Sequence, residues 1–154
     1  ESWSWAGPEK TITGPTWGGC LEVLNQLALA DRLPSNDDLA GTVLLLETSE
    51  RLTPADEVAE QLRAFGERGL LGAVAAVAFA RPIVSTFDVL PSAAEKAALR
   101  EAQRDAVIEQ MVHYNPDAVV CIGIPFGHSR PQWILPYGGE MTLDGAAQRV
   151  TASY

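Results

Sequence analysis

Unbroken apolar runs between polar turns, not strict alternation, set the pattern of this chain. Residues 42–46 read Thr-Val-Leu-Leu-Leu, opened by Gly41 and closed by Glu47 with Thr48-Ser49-Glu50 as the stop. Residues 118–124 repeat the arrangement and lead into Pro125-Phe126-Gly127-His128, while residues 73–79 form an alanine-rich run after a brief turn at Leu70. Runs of this length are the pattern of strands buried on both faces. Between them the apolar spacing turns helical. Leu21, Leu24, Leu27 and Leu29 place a first helix after Gly18-Gly19, running through Ala30. Val58, Leu62 and Phe65 share one face of a second over 54–65, with proline in its first turn, acids early and Gly66 at its end. The longest helix runs from Ser92 to about His113. Ser92 and Glu95 have capping-box spacing, and Asn115-Pro116 is the stop.

The remaining segments are glycine-, proline- and tryptophan-rich. Residues 1–18 read as an irregular approach with a short strand over 10–13, the Trp17-Gly18-Gly19-Cys20 stretch as a turn, and residues 34–38 as a polar turn. At the C-terminal edge, segments 133–135, 140–143 and 149–152 predict an antiparallel meander, with Gly138-Gly139 and Asp144-Gly145 as turns. The class is mixed α/β, a single domain over residues 1–154 with a strand-rich C-terminal edge.

Composition narrows the function classes. At 154 residues and 47% hydrophobic, the chain can bury roughly 70% of its unfolded surface without staples. Its two cysteines make neither a disulfide framework nor a zinc site, so a reducing, cytoplasmic setting is expected and no metal or other cofactor. A net charge of −9 with scattered basic residues argues against nucleic acid or an anionic membrane as partner. No run approaches the ~18 apolar residues of a spanning helix, and no signal-peptide pattern opens the chain. The opening Glu1-Ser2-Trp3, without an initiator methionine, suggests a piece of something longer.

Chemistry concentrates at two strand ends. Glu47 and His128 each follow a buried strand, and open α/β sheets bind ligands in the crevice at the carboxyl ends of such strands. A histidine base with a carboxylate to orient it would fit there. Neither residue is diagnostic alone, because polar loop residues are the default. No serine sits in Gly-x-Ser-x-Gly or Ser-x-x-Lys. Cys20, at an expected helix start after two glycines, has the setting of a thiol with lowered pKa, and with Glu47 and His128 it would complete a cysteine hydrolase. Core packing is the simpler reading for Cys20, for Cys121 in mid-strand and for Trp17. His113 suits the helix C-terminus it occupies.

Trp17-Gly18-Gly19-Cys20-Leu21-Glu22-Val23-Leu24, Gly41 to Glu50, and Gly123-Ile124-Pro125-Phe126-Gly127-His128 with Leu135-Pro136-Tyr137-Gly138 resemble the C-terminal half of the LD-carboxypeptidase family of serine peptidases. The motifs occur in the family's order across nearly the whole chain. The resemblance implies a swivelling β/β/α-type domain with a mixed sheet and flanking helices. It also implies an N-terminal partner domain that carries the serine, a homodimer of such two-domain chains, and Glu47 and His128 as the family's triad glutamate and histidine. The serine has no counterpart here.

Two departures from the murein-cleaving members, Glu47-Thr48-Ser49-Glu50 and Cys20 after the double glycine, are more similar to the microcin C immunity peptidases. That branch cleaves an amide joining an aspartyl residue to a nucleotide-like group, so the implied substrate is an aminoacyl-nucleotide before a small murein peptide. Substrate contacts are then expected from Trp17, Gly18, Gly19, Cys20, Ser49 and Glu50. A non-catalytic lid or dimerisation module is the alternative from another class.

Overall fold

The apolar runs form the centre of one sheet. In the computed structural model, which describes residues 3–154, the chain order is β1 (Ser4–Ala6), β2 (Thr11–Cys20), α1 (Leu21–Leu29), α2 (Asn36–Leu39), β3 (Val43–Glu47), α3 (Ala55–Glu67), α4 (Leu70–Ala73), β4 (Ala76–Ala80), α5 (Ala93–Tyr114), β5 (Val119–Ile124), β6 (Glu140–Asp144) and β7 (Arg149–Ala152). Residues 1 and 2 of the aromatic N-terminal stretch lie outside the described residues. The sheet order is β1-β5-β4-β3-β2-β6-β7. Strands β2, β3, β4 and β5 are parallel, and β1, β6 and β7 add antiparallel edges.

Side chains alternate between two cores. Leu44, Leu46, Val77, Phe79, Val120 and Ile122 face the helices, where they meet Leu21, Leu62, Phe65, Leu71, Val107 and Met111. Val43, Leu45, Ala76, Ala78 and Cys121 face the other way and are covered by Met141 and Leu143 of β6, with Trp3, Trp5 and Ile12 packed around them. Because both faces of β3 and β4 are enclosed, every residue of those strands is buried, as continuous apolar runs require. The cap of α5 forms as its sequence predicts: Glu95 N–H donates to Ser92 Oγ, and Ser92 N–H to Glu95 Oε2 at 2.7 Å.

Several local expectations are corrected. Residues 17–20 are not a turn but the second half of β2, which pairs with β6 over Thr11–Pro15 and with β3 over Thr16–Cys20. Glycine is used there for close approach. A Cβ on Gly18 would lie 1.8 Å from the Leu45 carbonyl oxygen, and its φ of +148° suits no larger residue. Gly66 does not end α3, which continues to Glu67; it leaves room for the Tyr114 ring, and the left-handed residue is Gly69. The 34–38 turn contains α2, capped by Ser35 and Asp38. Residues 133–135 are not a strand, so the C-terminal antiparallel unit is the β6–β7 hairpin, and β1 is an unexpected strand. Among the described residues, no helix is long and apolar enough to cross a membrane.

Candidate active site

Glu47 and His128 lie at the same edge of the sheet and touch. Glu47 ends β3, and the register that pairs β3 with β4 and β4 with β5 brings the residues after Ile124 alongside it. The turn after β5 then doubles back. Gly127 takes φ +67°, the Ser129 hydroxyl donates to the Phe126 carbonyl at 3.0 Å, and the Trp133 N–H donates to the Pro125 carbonyl at 2.6 Å. This geometry sends His128 back over the strand end.

One carboxylate oxygen holds the histidine twice. Glu47 Oε2 accepts the His128 backbone N–H at 3.1 Å and lies 2.6 Å from His128 Nδ1. With Glu47 ionised, Nδ1 carries a proton and donates it, which leaves Nε2 as the nitrogen whose state can change. The two side chains therefore meet within this domain. Glu47's side chain is 10% exposed and His128's 40%, so the orienting carboxylate is fixed while the imidazole faces solvent. The hydrogen bond it donates to Glu47 raises the His128 pKa above its ordinary value against the opposing effect of partial burial, and the charges of Glu47, Glu50 and Glu22 add to the rise.

Beside the pair, Glu22 gathers the loop that follows β3. Its carboxylate accepts the Ser49 N–H and hydroxyl, the Thr53 hydroxyl at 3.0 Å and the Cys20 thiol at 3.2 Å. Burial pushes the Glu22 pKa up, but these bonds and its own backbone amide outweigh it and leave the carboxyl below its ordinary value. Sequence reasoning missed Glu22. The available signal was an acid in the first turn of α1, at the same sheet edge, but its loop partners Ser49 and Thr53 lie 27 and 31 residues further along the chain.

The other expected contact residues separate into two groups. Glu50 lines the crevice and places Oε2 3.2 Å from His128 Nε2. Ser49 spends its donors on Glu22. Trp17 is half-buried and packs against the helix-side core, and neither it nor Gly18, Gly19 and Cys20 line the crevice that holds Glu47 and His128. Cys20 sits in register beside Glu47, yet burial pushes its thiol up to about 11, with the bond to Glu22 and the Glu22 and Glu47 charges acting in the same direction. A lowered thiol pKa was the alternative to core packing at Cys20, and the environment does the opposite.

The crevice is open and about 1490 Å³ in volume. Its walls include Arg81 and the following loop from β4, Arg51, and Arg130. Arg81 and Arg130 also escaped the sequence reading, although Arg81 directly follows a parallel strand and so had to lie at this edge. Arg81 Nη2 donates to the carbonyls of Arg130 and Pro131, tying two of the crevice's loops together. Among the described residues, no three His, Cys, Asp or Glu side chains are arranged to hold a metal ion. What the arrangement can do is accept and return a proton at Nε2 with the ring held in one orientation.

Comparison with known proteins gives the family and the fold. Residues 13–143 match the family model of the LD-carboxypeptidase C-terminal domain. No curated protein matches the chain. Among solved structures, an MccF-like protein from Streptococcus pneumoniae in complex with AMP is 20% identical with a TM-score of 0.73, over 99% of this chain and 44% of that one. The microcin C7 self immunity protein MccF in complex with aspartyl sulfamoyl adenosine is 15% identical with a TM-score of 0.71, over 99% and 41%. An MccF-like protein from Bacillus anthracis is 16% identical with a TM-score of 0.67, over 95% and 41%. The chain therefore spans less than half the length of each of these relatives, and at such identities the likeness is one of fold.

Proposed function

This chain belongs to the family of LD-carboxypeptidase C-terminal domains, and from that premise we propose that it is the acid/base half of a Ser-Glu-His amidase. His128 is the general base, Glu47 orients it, and the nucleophilic serine comes from an N-terminal domain of the same protein. The observation that carries this reading is the 2.6 Å contact between His128 Nδ1 and a nearly buried Glu47. A serine hydroxyl attacks an amide poorly until a neutral imidazole takes its proton. His128 would accept that proton at Nε2 and return it to the leaving amine, while Glu47 stabilises the imidazolium formed between the two steps.

The favoured substrate is an aminoacyl-nucleotide amide, with a murein LD-peptide as the other member of the class. Two of the relatives that share the fold hold AMP and aspartyl sulfamoyl adenosine, and the wording at Glu47-Thr48-Ser49-Glu50 follows that branch. Substrate choice is assigned to the loop from Thr48 to Arg51, whose Glu50 and Arg51 line the crevice; the β2 end at Trp17 to Cys20, off the crevice, takes part by supporting that loop through the bonds of Cys20 and Ser49 to Glu22. The enzyme would be cytoplasmic, consistent with two free cysteines, and would act as a homodimer. The cysteine alternative has against it a thiol held protonated and bonded to Glu22.

The test uses the full-length protein carrying both domains. His128→Ala should lower hydrolysis of an aspartyl-nucleotide amide on the order of 10⁴-fold, and the 154-residue chain alone should show no turnover. Glu50→Ala should change the ratio of kcat/KM between that amide and a murein tetrapeptide. Full activity in His128→Ala would refute the assignment.

A further inference from the structure

His128 lies between two carboxylates of unlike character. Glu47 meets Nδ1 at 2.6 Å with its side chain 10% exposed, and Glu50 meets Nε2 at 3.2 Å with its side chain 82% exposed. Under the reading above, Nε2 is the nitrogen that must face the serine. A carboxylate already occupies that side of the ring, and it belongs to a loop whose backbone is anchored while its tip is not: Ser49 and Thr53 bond Glu22, whereas Glu50 reaches freely into the crevice.

We propose that Glu50 is a positioning residue that caps Nε2 of His128 in the resting domain, keeping the ring doubly protonated and aimed into the crevice until the nucleophile displaces it. This rests on the hydrolase reading for its role, though not for the contact itself. A ring that donates from both nitrogens has no lone pair with which to accept the serine proton. Activation therefore passes the Nε2 proton to the Glu50 carboxylate, from there to water, and leaves a neutral imidazole still donating from Nδ1 to Glu47. Glu50 then swings outward, which its exposure permits, and the serine hydroxyl takes its place at Nε2.

Other charges act on the ring or line the crevice around it. Glu22 from α1 adds to the pull on the proton. Arg81 after β4, Arg100 of α5, Asp88 and Arg130 line the crevice, and Arg51 stands beside Glu50 but pairs with Glu57 at 3.0 Å. The arginines oppose the two glutamates, so only removal of Glu50 itself isolates its share.

The experiment is an NMR titration of the ring nitrogens of His128 in this chain, in wild type and in Glu50→Gln and Glu50→Ala. His113, the only other histidine, gives an in-sample reference signal. The His128 midpoint should move down in both variants, and the wild-type difference should shrink as salt is added, because the outer pair is exposed. In the full-length enzyme, Glu50→Gln should move the acid limb of kcat/KM to lower pH, a change that a purely structural defect would not produce. An unchanged midpoint in both variants overturns the proposal, even if the enzyme is an active hydrolase. A lowered midpoint in a protein whose full-length form hydrolyses nothing upholds the cap and overturns the hydrolase reading instead.

Discussion

The carboxyl ends of β2 and β3 are neighbours in register, with Cys20 opposite Glu47, yet they have opposite chemistry. At the end of β3 a carboxylate with few other ties holds a solvent-facing imidazole, which raises its proton affinity without hiding it. At the end of β2 a potential nucleophile is partly buried and bonded to Glu22, and its thiol is driven up to about 11. Residue type suggested a reactive group at each end. Environment selects one of them, because neighbouring carboxylates favour the neutral thiol and the charged imidazole alike, while burial adds to the first effect and opposes the second.

Glycine substitutions should break the two ends differently. Gly18→Ala forces a Cβ to within 1.8 Å of the Leu45 carbonyl, inside the parallel pairing of β2 and β3. Backbone cannot yield there as a side chain can, so the unfolding free energy should fall by more than about 3 kcal/mol. Gly127→Ala meets the Glu47 side chain instead, 2.5 Å from Oε2 and 2.6 Å from Cγ. Its fold should survive with a loss of about 1–2 kcal/mol for the left-handed turn. Displacing Glu47 should nonetheless lower full-length activity on the order of 100-fold. Denaturant unfolding and kcat/KM separate the two cases.

Removing the carboxylate that silences Cys20 sharpens the contrast. Glu22→Ala takes the acceptor from Ser49, Thr53 and Cys20, and should cost about 1–3 kcal/mol through the donors left behind. The thiol should titrate lower than in wild type, because the Glu22 bond and charge both raise it, while remaining high because burial is the larger cause. Its rate of alkylation as a function of pH measures this.

The smallest effect concerns the pH dependence of stability. The folded-state pKa of His128 is raised, so the protonated ring contributes stability that is fully present below the unfolded histidine value of about 6.5 and is lost as pH rises through the folded value. With a side chain 40% exposed, the contribution should stay under about 1 kcal/mol. The Tm difference between wild type and His128→Gln should be largest in that acidic window and fade above it.

Much of this was legible in the sequence for a physical reason. Apolar runs such as residues 43–46 encode strands enclosed on both faces, and the ends of parallel strands fix where polar residues collect. The Ser92 and Glu95 spacing gave the start of α5 because a capping box is local. What escaped was set by distant contacts. The glycines of 17–20 read as a turn because their reason, the passing backbone of β3, is not local. Trp133 looked like a strand residue, but its ring stacks edge-on against Trp3 and its N–H bonds the turn that carries His128. The Glu22 cluster joins residues that no short motif links.

The central claim is that the β3 end, and not the β2 end, serves the chemistry. It is tested most directly by single-turnover hydrolysis of an aspartyl-nucleotide amide by the full-length protein in two variants. Glu47→Gln should slow the chemical step on the order of 10⁴-fold, since it leaves the imidazole without its orienting charge, while Cys20→Ala should stay within about threefold of wild type, as an ordinary substitution away from the reacting atoms does. The reverse result, with Cys20→Ala inactive and Glu47→Gln unaffected, would contradict the account.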